Sequence, residues 1–268
     1  MKRGAFVRKA DVISRQFADS VPAVLTFADP EDLHRMRVAG RSLLACISLV
    51  PKSRRARHRW GELQQAVHQR MQLLGRLRDL DVLIEELSRR EEVARADEFG
   101  LIRAWGADLV MERYTVRMEA SSSLPRLETP AFRHLIDRWL RNLSHTKRSN
   151  RERRIRKLRK NFQEAITALD DLDTTLSPDD ENLLDRLHKA RIRAKKLRYA
   201  LDITGEGDEN LGEIDRIKAL QERLGKVQDR RIWLSRLMPY RASYPEAVEH
   251  LSETLRTEII ALLADKES

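Results

Sequence analysis

Apolar side chains recur three and four residues apart along most of the chain, the spacing that gathers them on one face of an α-helix. After Asp29-Pro30 the stripe runs Met36, Leu43, Ile47 and Val50; after Thr129-Pro130 it runs Phe132, Ile136, Leu140 and Leu143. After Ser177-Pro178 it continues through Leu187, Ala190, Ala194, Leu197 and Leu201. Each dipeptide reads as a helix start, because a short polar side chain accepts orphan amide hydrogens and proline fits the first turn. Ser177 with Asp180 also outlines a capping box, with Asp where Glu or Gln is usual. Ile155, Leu158, Phe162, Ala165, Leu169 and Leu172 predict one long helix before Ser177, basic in front and acidic behind.

Breaks are expected at Pro51-Lys52-Ser53, Ser121 to Pro125, Ser177-Pro178, Gly205-Glu206-Gly207 and Pro239 to Pro245, leaving roughly eight or nine helical segments. No strand pattern competes. Ten glycines and eight prolines are too few for the turn-dense β-sandwiches and barrels, so the expected class is all-α. The apolar share of 41% beside 35% charged residues excludes a disordered chain. No apolar run reaches the ~18 residues of a membrane helix, and the charged start lacks the apolar core of a secretory signal. With Cys46 the single cysteine, the expectation is a cytoplasmic protein without disulfides or a multi-cysteine metal site.

Charge changes the picture. Lys and Arg number 52 against 42 Asp and Glu, a net +10. Residues 31 to 60, 145 to 160 and 186 to 198 carry +6, +8 and +7, so the rest of the chain carries −11. Cations segregated in this way, with few acidic partners at i+4, point to an anion-binding face.

Two of the basic segments are related. Leu33-His34-Arg35-Met36-Arg37-Val38-Ala39-Gly40-Arg41 is echoed by Leu187-His188-Lys189-Ala190-Arg191-Ile192-Arg193-Ala194-Lys195. Downstream, Leu74-Gly75-Arg76-Leu77-Arg78-Asp79 is echoed by Leu224-Gly225-Lys226-Val227-Gln228-Asp229. The His-to-Gly interval is 41 residues in the first copy and 37 in the second, so a pair of helices is duplicated. On a helical wheel His188, Arg191, Lys195, Arg198 and Tyr199 share an arc opposite the apolar stripe. His34, Arg37 and Arg41 form the corresponding stripe, but Ser42 and Leu44 stand where the second copy has Lys196 and Arg198.

These residues resemble the CHAD domain, the conserved histidine α-helical domain. The family pattern His-x-x-Arg-Val-x-x-Arg-Arg-Leu-Arg, then Leu-Gly-x-x-Arg-Asp-x-Asp-Val, is matched by His34 to Val38, by Gly75 to Val82 and by His188 to Tyr199. The resemblance covers nearly the whole chain: a single domain over 5–265, with helical halves 5–122 and 126–265 joined at Ser121 to Pro125. It implies two four-helix bundles related by a pseudo-two-fold axis, forming one basic cleft or pore that binds inorganic polyphosphate. Such a polymer offers about one charge per phosphate and no bases, so it calls for rows of cations, not stacking rings. The 14 aromatic residues rarely fall inside the basic segments, which disfavours recognition of single-stranded nucleic acid by stacking.

The candidate polyphosphate-binding residues are His34, Arg37, Arg41, Arg78, His188, Arg191, Lys195, Arg198 and Tyr199, with Arg193 and Lys196 at the edge of the stripe. Arg148, Arg151 and Arg154 are the cations of the third basic segment expected in the cleft, and Arg54 and Arg55 are expected to guide the polymer's end. Two roles stand open for His34 and His188: direct phosphate contact, or donation to a carbonyl or carboxylate at a helix seam. Neither has a second ligand at +3 or +4 on its face, so no metal is expected, and no cofactor. Asp79, Asp81 and Asp229 are read as partners that orient arginines. The expected function is non-catalytic binding of polyphosphate or another polyanion, at or near polyphosphate granules, with no membrane. A nucleic-acid-binding protein or a phosphate-polymer enzyme with an unrecognised metal site are the alternatives.

Overall fold

The computed structural model describes residues 3–26, 29–50, 54–143, 147–170, 180–205 and 211–264. Among them are ten α-helices and no strand: α1 (Arg3–Asp19), α2 (Val21–Thr26), α3 (Pro30–Leu49), α4 (Arg54–Glu91), α5 (Phe99–Leu127), α6 (Pro130–Leu143), α7 (Arg148–Asp170), α8 (Glu181–Thr204), α9 (Leu211–Leu237) and α10 (Pro245–Ala264). A 3-10 turn over Met238–Tyr240 links the last two.

Capping chemistry sets several ends. Asp29 accepts from the Glu31 amide at 2.8 Å, with Pro30 in the first turn of α3. Thr129 Oγ1 accepts from the Phe132 amide at 3.3 Å at the start of α6. For α8 the capping residue is Asp180, which accepts from Asn182 at 2.8 Å and Leu183 at 3.2 Å; Ser177 and Pro178 lie outside the described residues. Gly205 ends α8 with φ of 68°, a left-handed position that only glycine takes without strain.

The expected break at Ser121 to Pro125 does not occur. Helix α5 runs through it to Leu127 and turns at Glu128. Ala120 and Leu124 are fully buried, so packing holds the segment helical, and Pro125 sits close enough to the end to forfeit little. Ser121 and Ser122 donate to the carbonyls of Arg117 at 2.9 Å and Glu119 at 3.0 Å, which folds their hydroxyls onto the helix.

One neighbour scheme appears twice. Helix α3 packs on α4 and α4 on α5; likewise α8 packs on α9 and α9 on α10. Helix α1 lies on α3 as α7 lies on α8. The two schemes meet where α3 packs against α8. Helix α6 crosses back onto α1 and α4, burying Phe132, Ile136 and Trp139. The main core is continuous across the α3–α8 seam, and a smaller cluster including Leu187, Leu220 and Leu224 fills the space among α7 to α10.

Candidate functional site

The seam between α3 and α8 brings the two histidine helices together with their cations facing one another. Arg37 and Arg41 lie one turn apart on α3; Arg191, Lys195 and Arg198 occupy successive turns of α8, all half-buried. The Lys195 ammonium is pushed down to about 8, first by burial and then by Arg191, Arg41, Arg37 and Arg198. Two of these guanidiniums stand on its own helix and two across the seam, so like charges crowd one small volume. Burial, then Arg41 and Arg78, also depress Arg37, against the opposing pull of Asp79.

Two carboxylates face this cluster from α4 and α9. Arg37 Nη2 lies 3.6 Å from Asp79 Oδ1, and the arginine side chain is only 11% exposed while the aspartate is 70% exposed. In the second copy Asp229 is raised above the usual carboxylate range, first by burial; Arg191 and Arg230 pull it down and Asp79 pushes it up. Asp229 thus feels the charge of Arg191 in the second copy, without the close contact that Arg37 makes with Asp79 in the first. Nε of Arg191 and Nε of Arg198 are buried without a hydrogen-bond partner. The Arg198 guanidinium lies 4.8 Å from the ring centre of buried Tyr199, which supports it from beneath. Cations outnumber carboxylates here and some buried donors are unspent, an arrangement that can accept an anion carrying several oxygens.

Other expected site residues lie elsewhere. His34 and His188 are exposed one turn ahead of Arg37 and Arg191, and His188 shares a crevice between α8 and α9 with Arg191, Gln228 and Arg231. Arg78 is half-buried on α4, near enough for Arg37 to feel its charge. Arg193 and Lys196 face a different groove of about 170 Å³ between α7 and α8, where Arg193 Nη1 donates to the Asn161 carbonyl at 2.9 Å. Arg148 bridges to Glu152 at 2.7 Å, and Arg154 donates to the Ser48 carbonyl at 3.2 Å near the end of α3. Arg151 corrects the expectation outright: it is 2% exposed, with its guanidinium 4.5 Å from the Phe6 ring centre. A charge enclosed that far reaches no solvent-borne polymer without unpacking from α1. The side chains of Arg54 and Arg55 lie outside the described residues.

Asp81 also leaves the cluster, accepting from Arg113 Nε at 2.5 Å to tie α4 to α5. Among the described residues no three His, Cys, Asp or Glu side chains converge as metal ligands. No helix there is long and apolar enough to cross a membrane. Arg231 is the cation that motif reading passed over; its signal is that it occupies the position of Asp81 in the second copy. The glycines of the two Leu-Gly motifs were legible as a repeat but not as neighbours of arginine. A Cβ on Gly75 would lie 3.0 Å from Arg37 Nη1, and one on Gly225 would lie 3.9 Å from Arg191 Nη2.

A family model of the CHAD domain matches residues 13–238. The fold is similar to the crystal structure of the CHAD domain from the plant Ricinus communis, with 22% identity and a TM-score of 0.68 over 99% of this chain and 87% of that one. It is also similar to PptA from Streptomyces chartreusis, with 16% identity and a TM-score of 0.67 over 97% of this chain and 96% of that one. No curated protein sequence matches the chain.

Proposed function

The chain belongs to the CHAD domain family, and from that membership together with the cations crowded at the α3–α8 seam we propose that it binds inorganic polyphosphate without turning it over. The observation that carries the reading is Lys195, half-buried with Arg37, Arg41, Arg191 and Arg198 all acting on its charge. Near a protein surface two unit charges ~4 Å apart interact by about 4 kcal/mol, so bringing these groups together is costly until an anion enters. A phosphate chain relieves several repulsions at once and takes up the unspent donors of Arg191 and Arg198. Guanidiniums suit this task because their planar forks grip two oxygens each.

Asp79 and Asp229 set the number of free charges. Asp79 sits against Arg37 and Asp229 lies within the field of Arg191 and Arg230, and the remaining cations are left to the ligand. A basic cleft built this way reads charge density and spacing, which polyphosphate supplies at every unit. The cellular consequence we propose is residence at phosphate-rich granules, checked by imaging a tagged protein.

Competition binding tests the reading. Long-chain polyphosphate is expected to displace labelled polyphosphate at concentrations, counted per charge, where tRNA and duplex DNA at the same salt do not. Equal competition by nucleic acid would transfer the site to general phosphate-backbone binding. Release of orthophosphate from polyphosphate on adding a divalent metal would make the protein an enzyme instead.

A further inference from the structure

Gly75 sits mid-way along α4, a helix of 38 residues, where alanine is the better helix former. Its value therefore lies outside the helix. The space a Cβ would take is bounded by Arg37 Nη1 at 3.0 Å, tighter than such approaches ordinarily are. One turn further along the same face, Asp79 Oδ1 lies 3.6 Å from Arg37 Nη2. The guanidinium thus lies along α4 with one nitrogen over the bare glycine and the other toward the carboxylate.

The second copy provides an internal contrast. Over Gly225 the nearest atoms are Arg191 Nη2 at 3.9 Å and Nε at 4.0 Å, ordinary van der Waals separation for a methyl group. A methyl group at Gly75 instead meets Arg37 Nη1, so the guanidinium must give way, and a shift off α4 takes it from Asp79.

We propose that Gly75 is a positioning residue of the anion site: the absence of its side chain seats the Arg37 guanidinium against α4, and through Arg37 it sets the affinity for phosphate oxygens. The proposal rests on the polyphosphate reading, and its test separates the two.

Long-chain polyphosphate is titrated at one salt concentration into the wild-type protein and into Gly75→Ala, Gly75→Leu, Gly225→Ala, Arg37→Ala and Gly75→Leu/Arg37→Ala, with the thermal midpoint of each. Halving one charge-assisted hydrogen bond predicts a loss of about threefold for Gly75→Ala, and losing it a loss of about tenfold for Gly75→Leu. Gly225→Ala stays within about twofold of wild type, the ordinary scatter of independent sites. In the Arg37→Ala background Gly75→Leu costs nothing more, because its effect passes through that arginine. Gly75→Ala melts no lower than wild type, so it carries the test if the leucine variant fails to fold. Equal losses at both glycines, equal losses with and without Arg37, or wild-type affinity in Gly75→Ala would overturn the proposal. A wild-type protein that does not bind polyphosphate removes the functional reading with it, whereas binding that ignores Gly75 removes this inference alone.

Discussion

The two copies of the histidine helix and its glycine partner place cation and leucine at opposite addresses. In the second copy Arg198 stands at the seam, and the core position five residues before Gly225 is Leu220. In the first copy Leu44 takes the seam position and packs against the core, while Arg70, five residues before Gly75, is 1% exposed. The same exchange continues at Asp81, which ties α4 to α5, against Arg231, which shares a crevice with His188. Duplication thus let one copy hold the fold across the α5–α6 link and the other display charge. The comparison teaches that a basic count is not a binding count: an arginine's neighbours decide whether it serves ligand or core.

The contrast is broken most directly by stripping each copy of its seam cations. Replacing Arg191, Lys195 and Arg198 together with alanine is expected to weaken polyphosphate binding about a thousandfold, taking about 1.5 kcal/mol for each charge-assisted hydrogen bond removed. The salt dependence, read as log affinity against log salt, is expected to flatten by about 2, from roughly 0.7 per neutralised phosphate on a single-stranded polyanion. Replacing Arg37 and Arg41 is expected to cost about a hundredfold on the same scale and to flatten the slope less. Circular dichroism confirms that helicity survives. Equal losses from the two copies would erase their asymmetry, and unchanged slopes in both would sink the site.

Arg70 supplies the next largest effect, on stability instead of affinity. Its Nε donates to Glu128 at 3.3 Å and Nη1 to the Ala66 carbonyl at 2.8 Å, Nη2 reaches the Leu127 carbonyl, and the guanidinium lies 3.5 Å from the Phe132 ring centre. Burial depresses its pKa while Glu128 opposes the fall. Arg70→Leu makes the first copy resemble the second at this position but leaves Glu128 with only the distant Arg133, 3.9 Å away, and strands the carbonyl at the end of α5. The expected loss is about 3 kcal/mol, the low end for breaking one side of a buried pair, seen as a lower urea midpoint. Polyphosphate affinity of the folded fraction is expected to hold. A neutral result would mean that solvent reaches Glu128 and the link does not depend on the arginine.

Arg70 also marks where sequence reading stops. The all-helical class, the starts at Asp29 and Thr129 and the duplicated stripes were legible because capping and period are local, and the structure agrees on each. Arg37, Arg41, Arg191, Lys195 and Arg198 were legible as one stripe per helix; that the two stripes face each other needed the α3–α8 packing. Arg151 and Arg193 look like their basic neighbours in one dimension, and only Phe6 and the Asn161 carbonyl tell them apart. Arg70 falls in register with Leu63, Val67, Leu74 and Leu77, so a cation inside an apolar stripe was its signal. The serine-rich stretch misled for the converse reason: its loop-like composition is overruled by the burial of Leu124.

The smallest expected effect comes from one proton on Lys195. Lys195 lies at about 8 in the folded protein against an ordinary 10.5. Below about 8 it is charged in both folded and unfolded states, and the crowding by Arg191 and Arg41 weighs fully against folding. Between these values the unfolded chain holds the proton that the folded protein has released, so stability rises with pH; above 10.5 the cost has gone. Lys195→Met is therefore expected to be the more stable protein at pH 7, and its advantage over wild type is expected to shrink as pH climbs toward 10. Urea midpoints of the two proteins at both pH values measure this, and their difference cancels the other lysines and tyrosines. A polyanion reverses the balance by favouring the charged amine, so binding at pH 8 draws in roughly half a proton per site, the share missing at the midpoint of titration. Calorimetry in buffers of unlike ionisation enthalpy reads that uptake as a difference in heat, and Lys195→Met is expected to abolish it. Uptake that persists in the variant would move the proton to another group and leave Lys195 a bystander at the seam.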